Sequence, residues 1–120
     1  ICEPADLVLG QVLGEPATPT RHAYFPVNSF ISLVAAVAGS PGVEVGMVGR
    51  EGMLGAHLAL GVGAAPLRAV VQGPGSAWRV GTGPFRRALA RSVTLQRTLH
   101  RYLAALMTQL TNSVVCLRFH

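Results

Sequence analysis

Residues 30–48 read Phe-Ile-Ser-Leu-Val-Ala-Ala-Val-Ala-Gly-Ser-Pro-Gly-Val-Glu-Val-Gly-Met-Val. The run Phe30–Val37 is apolar and carries aromatic and β-branched residues, the types that fit a pleated, half-buried surface. It ends at Gly39-Ser40-Pro41-Gly42, where every residue favours a turn. Val43–Val48 then alternates, with Val43, Val45 and Met47 on one face and Glu44, Gly46 and Val48 on the other. A period of two is the signature of a strand. The stretch predicts a β-hairpin.

The same grammar extends in both directions. Leu7-Val8-Leu9 and Gln11-Val12-Leu13 flank Gly10, and Gly14-Glu15-Pro16 closes that segment. Residues 17–21 read as loop, Tyr24-Phe25-Pro26 as the start of a strand, and Asn28-Ser29 as a turn. Downstream, Ala69-Val70-Val71-Gln72 and Ser76-Ala77-Trp78-Arg79-Val80 are expected to form a second pair joined through Gly73-Pro74-Gly75. Met53–Leu60 has Leu54, His57 and Leu58 at helical spacing and stops at Gly61, which predicts a turn or two of helix. Strands this short and evenly spaced point to a small sandwich or barrel, not to alternating βαβ units.

After Pro84 glycine disappears, and Leu, Ala, Arg, Gln and Thr dominate. Proline suits a first helical turn, where its missing N–H costs nothing. Leu99, Leu103, Leu106, Leu110 and Leu117 then follow a heptad seam. An amphipathic helix packed on its own β-domain is one reading of that seam. A helix longer than roughly 30 Å, however, outruns a β-domain of about 80 residues. The seam is therefore expected to pair two copies. The chain divides into a β-domain at 1–83 and a helical segment at 84–120, whose pattern still runs at His120, as though a further domain followed.

Composition narrows the class. Of 120 residues, 50% are hydrophobic and 12% charged, enough apolar surface for one ordered domain. No stretch offers the run of about 20 apolar residues that a membrane span requires, and the start lacks the charged and apolar regions of a signal peptide. Cys2 and Cys116 lie at opposite ends, and free thiols in a reducing cytoplasm are expected. Cys116 with His120 makes too few ligands for a metal site. All five acids fall in residues 1–51 beside two arginines, while residues 52–120 hold eight arginines and no acid, giving −3 and +8.

Tyr24-Phe25-Pro26, Ile31-Ser32-Leu33-Val34, the run Val43–Gly55, Val71–Ala77 and Cys116–His120 together resemble the sensor domain of Crp/Fnr-type transcription regulators, over about Leu7 to His120. The resemblance implies a double-stranded β-helix, the jelly-roll-like cyclic-nucleotide-binding fold, followed by a long dimerisation helix. It implies a homodimer, a possible small-molecule effector, and DNA contacted through a winged helix-turn-helix absent from this chain. Members that bind cyclic nucleotides carry a phosphate-binding cassette, opened by Gly-Glu at a short helix and closed by Arg before the next strand. The Glu accepts from the ribose 2′-hydroxyl, and the Arg and helix N–H groups hold the cyclic phosphate. Here that helix begins Gly55-Ala56-His57, with Ala56 in the Glu position. Leu67 occupies the Arg position, and Arg68 stands one residue beyond, on the opposite face of an extended chain unless the loop at Ala64-Ala65-Pro66 has slipped.

Strong cyclic AMP or cyclic GMP binding is therefore not expected. Gly52-Met53-Leu54-Gly55-Ala56 with Leu67 would give the remaining cavity an apolar lining, for a hydrophobic or planar ligand or for none. A cupin-like metal enzyme needs paired histidines and a glutamate, but His22, His57, His100 and His120 are scattered and no acid follows Glu51. Ser29, Ser32, Ser40 and Ser76 lack a Gly-x-Ser-x-Gly context. An iron–sulfur cluster wants about four cysteines, and no local pattern supports haem. Arg86, Arg87, Arg91, Arg97 and Arg101 read as a solvated helix face in preference to a nucleic-acid site. The expectation is a regulatory domain with no catalytic activity and no cofactor.

Overall fold

The computed structural model describes residues 2–36, 39, 41–65 and 67–119, with side chains to Asn112. Seven strands precede two helices: β1 (Glu3–Leu7), β2 (Val12–Gly14), β3 (His22–Pro26), β4 (Phe30–Ala35), β5 (Val43–Val48), β6 (Arg68–Gly73), β7 (Gly75–Gly81), α1 (Thr82–Arg91) and α2 (Val93–Phe119). A 3₁₀ helix, Ala56–Leu60, lies between β5 and β6. All strand pairs are antiparallel, in a three-stranded sheet ordered β1-β7-β3 and a four-stranded sheet ordered β2-β6-β4-β5. The fold is the expected roll.

The hairpin of residues 30–48 forms as β4 with β5. Val37 and Ser40, part of its expected strand and turn, lie outside the described residues. The alternation along β5 is broken, because the register shifts between Leu33 and Val34, so that Leu33 faces Gly46 while Val34 faces Glu44. Val45 and Gly46 are consequently both buried. Val48 is 1% exposed while Met47 is 43% exposed. Ser32 Oγ, buried in β4, donates to Glu44 Oε1.

Gly73-Pro74-Gly75 is not a hairpin turn. β6 pairs with β2 and β4, whereas β7 pairs with β1 and β3, so this tripeptide carries the chain between sheets. Asn28 Oδ1 holds the crossing by accepting from the Ser76 N–H at 2.6 Å and from Ser76 Oγ at 2.9 Å. At the N-terminus, the strand expected at Leu7–Leu9 ends at Leu7, and Val8 and Leu9 are exposed ahead of Gly10, whose φ is 81°.

The helical segment begins at Thr82 and breaks at Ser92. Ser92 Oγ accepts from the Leu95 N–H at 3.1 Å, capping α2, and the Gln96 amide donates to the Leu89 carbonyl at 2.6 Å, closing α1. Two apolar clusters fill the interior. One joins Ile31, Val48, Val71 and Ala77 between the sheets. The other joins Ala23, Met53, Leu58 and Val80 to Phe85, Leu89, Leu99 and Leu103 of the helices. The first half of α2 thus packs on its own roll. Leu99 and Leu103, expected as dimer contacts, are 5% and 9% exposed and belong to the core of one chain.

Candidate functional site

The segment between β5 and β6 is pinned at both ends. Tyr24 and Leu54 exchange backbone hydrogen bonds of 2.9 and 2.8 Å, and the Thr20 N–H donates to the Gly63 carbonyl at 2.8 Å. From α2, the Tyr102 hydroxyl donates to the Met53 carbonyl at 3.2 Å. Burial pushes the Tyr102 phenol up from its ordinary value. Gly52 sits directly beneath the phenol, where a Cβ would lie 2.5 Å from the hydroxyl oxygen. It therefore serves this contact, not the cavity lining expected of it.

Between this segment, the floor of β4 and β5, and α2 lies a cavity of about 350 Å³. Leu33 and Val48 form its floor, Met53, Leu54, Gly55, Ala56 and His57 one wall, Leu60, Val62, Ala64, Ala65 and Leu67 another, and Leu103, Leu106, Met107 and Leu110 the helix side. Among the described residues, His57 is the only lining one with a polar side chain. Its Nε2 lies 2.7 Å from Thr20 Oγ1, and burial, assisted by the Arg86 charge, lowers its pKa from the ordinary 6.5.

All five residues expected of the cassette are placed. Gly55 precedes the 3₁₀ helix with φ 102° and packs on Ala23, and its carbonyl accepts from the Leu58 N–H at 3.1 Å. Ala56 is buried on the cavity wall. Leu67 faces in. Arg68, one residue along the strand, is exposed and bridges Glu15 Oε1 at 2.8 Å, outside the cavity.

Of the seam residues, Leu103, Leu106 and Leu110 line the cavity, Leu99 lies in the core, and Leu117 falls in α2 with its side chain outside the described residues. Gly46 lets α2 close on β5, since a Cβ there would meet Leu110 Cδ2 at 3.0 Å. Leu33, Val48, Leu60, Val62 and Met107 were not foreseen as lining residues. The inward register of β4 and β5 was the signal available for the first two. Cys2 is exposed with a free thiol, and Cys116 and His120 lie outside the described side chains. Among the described residues no three His, Cys, Asp or Glu side chains converge as metal ligands, and no helix is long and apolar enough to cross a membrane.

No protein-family model matches the sequence, and neither does any curated protein. Solved structures match in shape. FixK2 from Bradyrhizobium japonicum superposes with a TM-score of 0.80 at 12% identity, over 93% of this chain and 55% of that one. A cyclic nucleotide-binding domain from Methylobacillus flagellatus gives 0.66 at 14% identity, over 93% and 62%. The chain has the cyclic-nucleotide-binding fold. The sensor domain of the transcriptional regulator DNR from Pseudomonas aeruginosa shares this fold, with a TM-score of 0.66 at 12% identity over 94% and 74% of the two chains. The chain spans little more than half the length of FixK2. Among the described residues, no carboxylate and no arginine lines the cavity beside the short helix.

Proposed function

We propose that this chain is the effector-sensing and dimerisation domain of a Crp/Fnr-like transcription regulator, with a degenerate cassette that does not hold cyclic nucleotide strongly. One observation carries the reading. Ala56 and Leu67, which the resemblance puts at the cassette positions that need an acceptor and a cation, line the cavity, and Arg68, next to Leu67 in sequence, is exposed and paired with Glu15. A charge-assisted hydrogen bond contributes about 1.5–3 kcal/mol, so losing two weakens binding by roughly two to four powers of ten.

The rest follows from the resemblance and the shared fold. The regulator acts in the cytoplasm, reaches DNA through a domain beyond α2, and pairs with a second copy along the part of α2 that leaves the roll. An effector in the cavity touches the wall formed by Leu103, Leu106 and Leu110 and so biases the pose of α2. Calorimetric titration with cyclic AMP and cyclic GMP tests the reading. No saturable heat is expected below about 1 mM. A micromolar dissociation constant for either would overturn it in favour of a working cyclic-nucleotide-binding domain.

A further inference from the structure

We propose that the cavity beside the 3₁₀ helix binds a neutral, largely apolar small molecule with at most one hydrogen-bonding group, and that this molecule is the effector of the sensor domain proposed above. The inference rests on that reading and specifies the chemistry it leaves open. Size comes first. At about 350 Å³ the cavity falls in the range of small-molecule sites. It is more than twice the roughly 150 Å³ at which an apolar protein cavity already takes up benzene.

Charge comes next. Among the described residues no charged side chain lines the cavity, so an anionic or cationic ligand would lose its hydration without a counter-charge. Water is a poor occupant for the same reason, because a buried water needs about two to four polar partners. Among the described residues the cavity offers one polar side chain, His57, whose Nε2 is engaged by Thr20 Oγ1, so a hydrogen bond to a ligand would fall to the other ring nitrogen, Nδ1. With burial and Arg86 both disfavouring the imidazolium, that nitrogen meets its ligand on a neutral ring.

Position argues for a small molecule in preference to a protein segment. Leu33, Val48 and Met53, at the bottom, are 6%, 1% and 3% exposed, so the void extends below the surface that a docking helix could reach. A partner chain would meet only the rim, where Leu60, Val62 and Met107 are exposed.

The test compares three ligands built on one ring system and cyclic AMP as a separate arm. The full chain is titrated with 2-naphthol, naphthalene, 2-naphthalenesulfonate and cyclic AMP, with binding followed by NMR line broadening. Saturable 2-naphthol binding is expected, with the sulfonate weaker by about a hundredfold or more. Leu67→Trp fills the void and abolishes 2-naphthol binding while the circular dichroism stays unchanged. Ala65→Phe does the same from the same wall if Leu67→Trp fails to fold. His57→Phe weakens 2-naphthol about fivefold and leaves naphthalene unaffected. Sulfonate binding as tight as naphthol, naphthol binding retained by a folded filled variant, or no binding of either neutral probe overturns the proposal. Micromolar cyclic AMP binding overturns the preceding reading instead, so the two failures are distinct.

Discussion

Gly55 is a structural necessity before it is a cassette residue. Its φ of 102° lies where an L side chain is strained, and a Cβ would stand 3.2 Å from the Ala23 Cα in the middle of the core. Gly55→Ala is expected to cost roughly 1–3 kcal/mol, read as a lower urea midpoint at unchanged slope. A change within about 0.5 kcal/mol would mean that the backbone relaxes freely here. At His57 the linkage has a definite sign. The folded-state pKa lies below the ordinary 6.5, so above pH 6.5 the ring is neutral in both states and contributes nothing to pH dependence. As the pH falls through 6.5, the unfolded chain takes up a proton that the folded chain resists, and stability declines until the folded pKa is reached. His57→Phe should flatten the fall in melting temperature from about pH 7 to pH 5. An acid-side slope identical to that of the parent chain would show that this ring is not its source.

Among the elements, α2 shows why identical spacing can mean different things. Leu99, Leu103, Leu106 and Leu110 form one stripe, yet Leu99 and Leu103 are core residues of their own chain while Met107, beside them, is 61% exposed. A 3-4 repeat reports that a face is covered and says nothing of what covers it. Leu103→Ala is expected to cost about 2–5 kcal/mol in thermal unfolding. Met107→Asp should stay within about 0.5 kcal/mol yet shift sedimentation from dimer toward monomer. A dimer indifferent to Met107→Asp would remove this face of α2 from the pairing. The strands divide in the same way. The β4–β5 hairpin was legible because its turn and both partners lie within residues 30–48. The parting of β6 from β7 was not, because β7 takes its partners from Glu3–Leu7 and His22–Pro26, far away in the chain. Gly-Pro-Gly serves a hairpin and a crossover equally well. The outward set of Arg68 was legible, since period two follows from strand geometry alone. The third wall of the cavity was not, because it required knowing that α2 folds back.

At the scale of the molecule, the roll and the helices are one core. Phe85, Leu89, Leu99 and Leu103 pack with Ala23, Met53, Leu58 and Val80 in a single cluster, and the strand-to-helix change falls at Gly81/Thr82, two residues before the division expected at 83/84. Burial of each of these four helical side chains contributes about 1.5–3 kcal/mol. Together they amount to roughly the whole stability of a domain of this size, about 5–15 kcal/mol. A fragment ending at residue 83 would expose the cluster's other half to water. It is expected to lose near-UV circular dichroism and to bind a hydrophobic dye, as loosely packed states do. A chain ending at Asn112 keeps all four side chains, and its melting temperature should stay within a few degrees of the parent's. A residue 1–83 fragment that unfolds in a sharp transition with intact near-UV signal would show that the roll stands alone. The cavity wall formed by α2 would then be an attachment to a finished domain, and an effector would act on a docked helix instead of on the core.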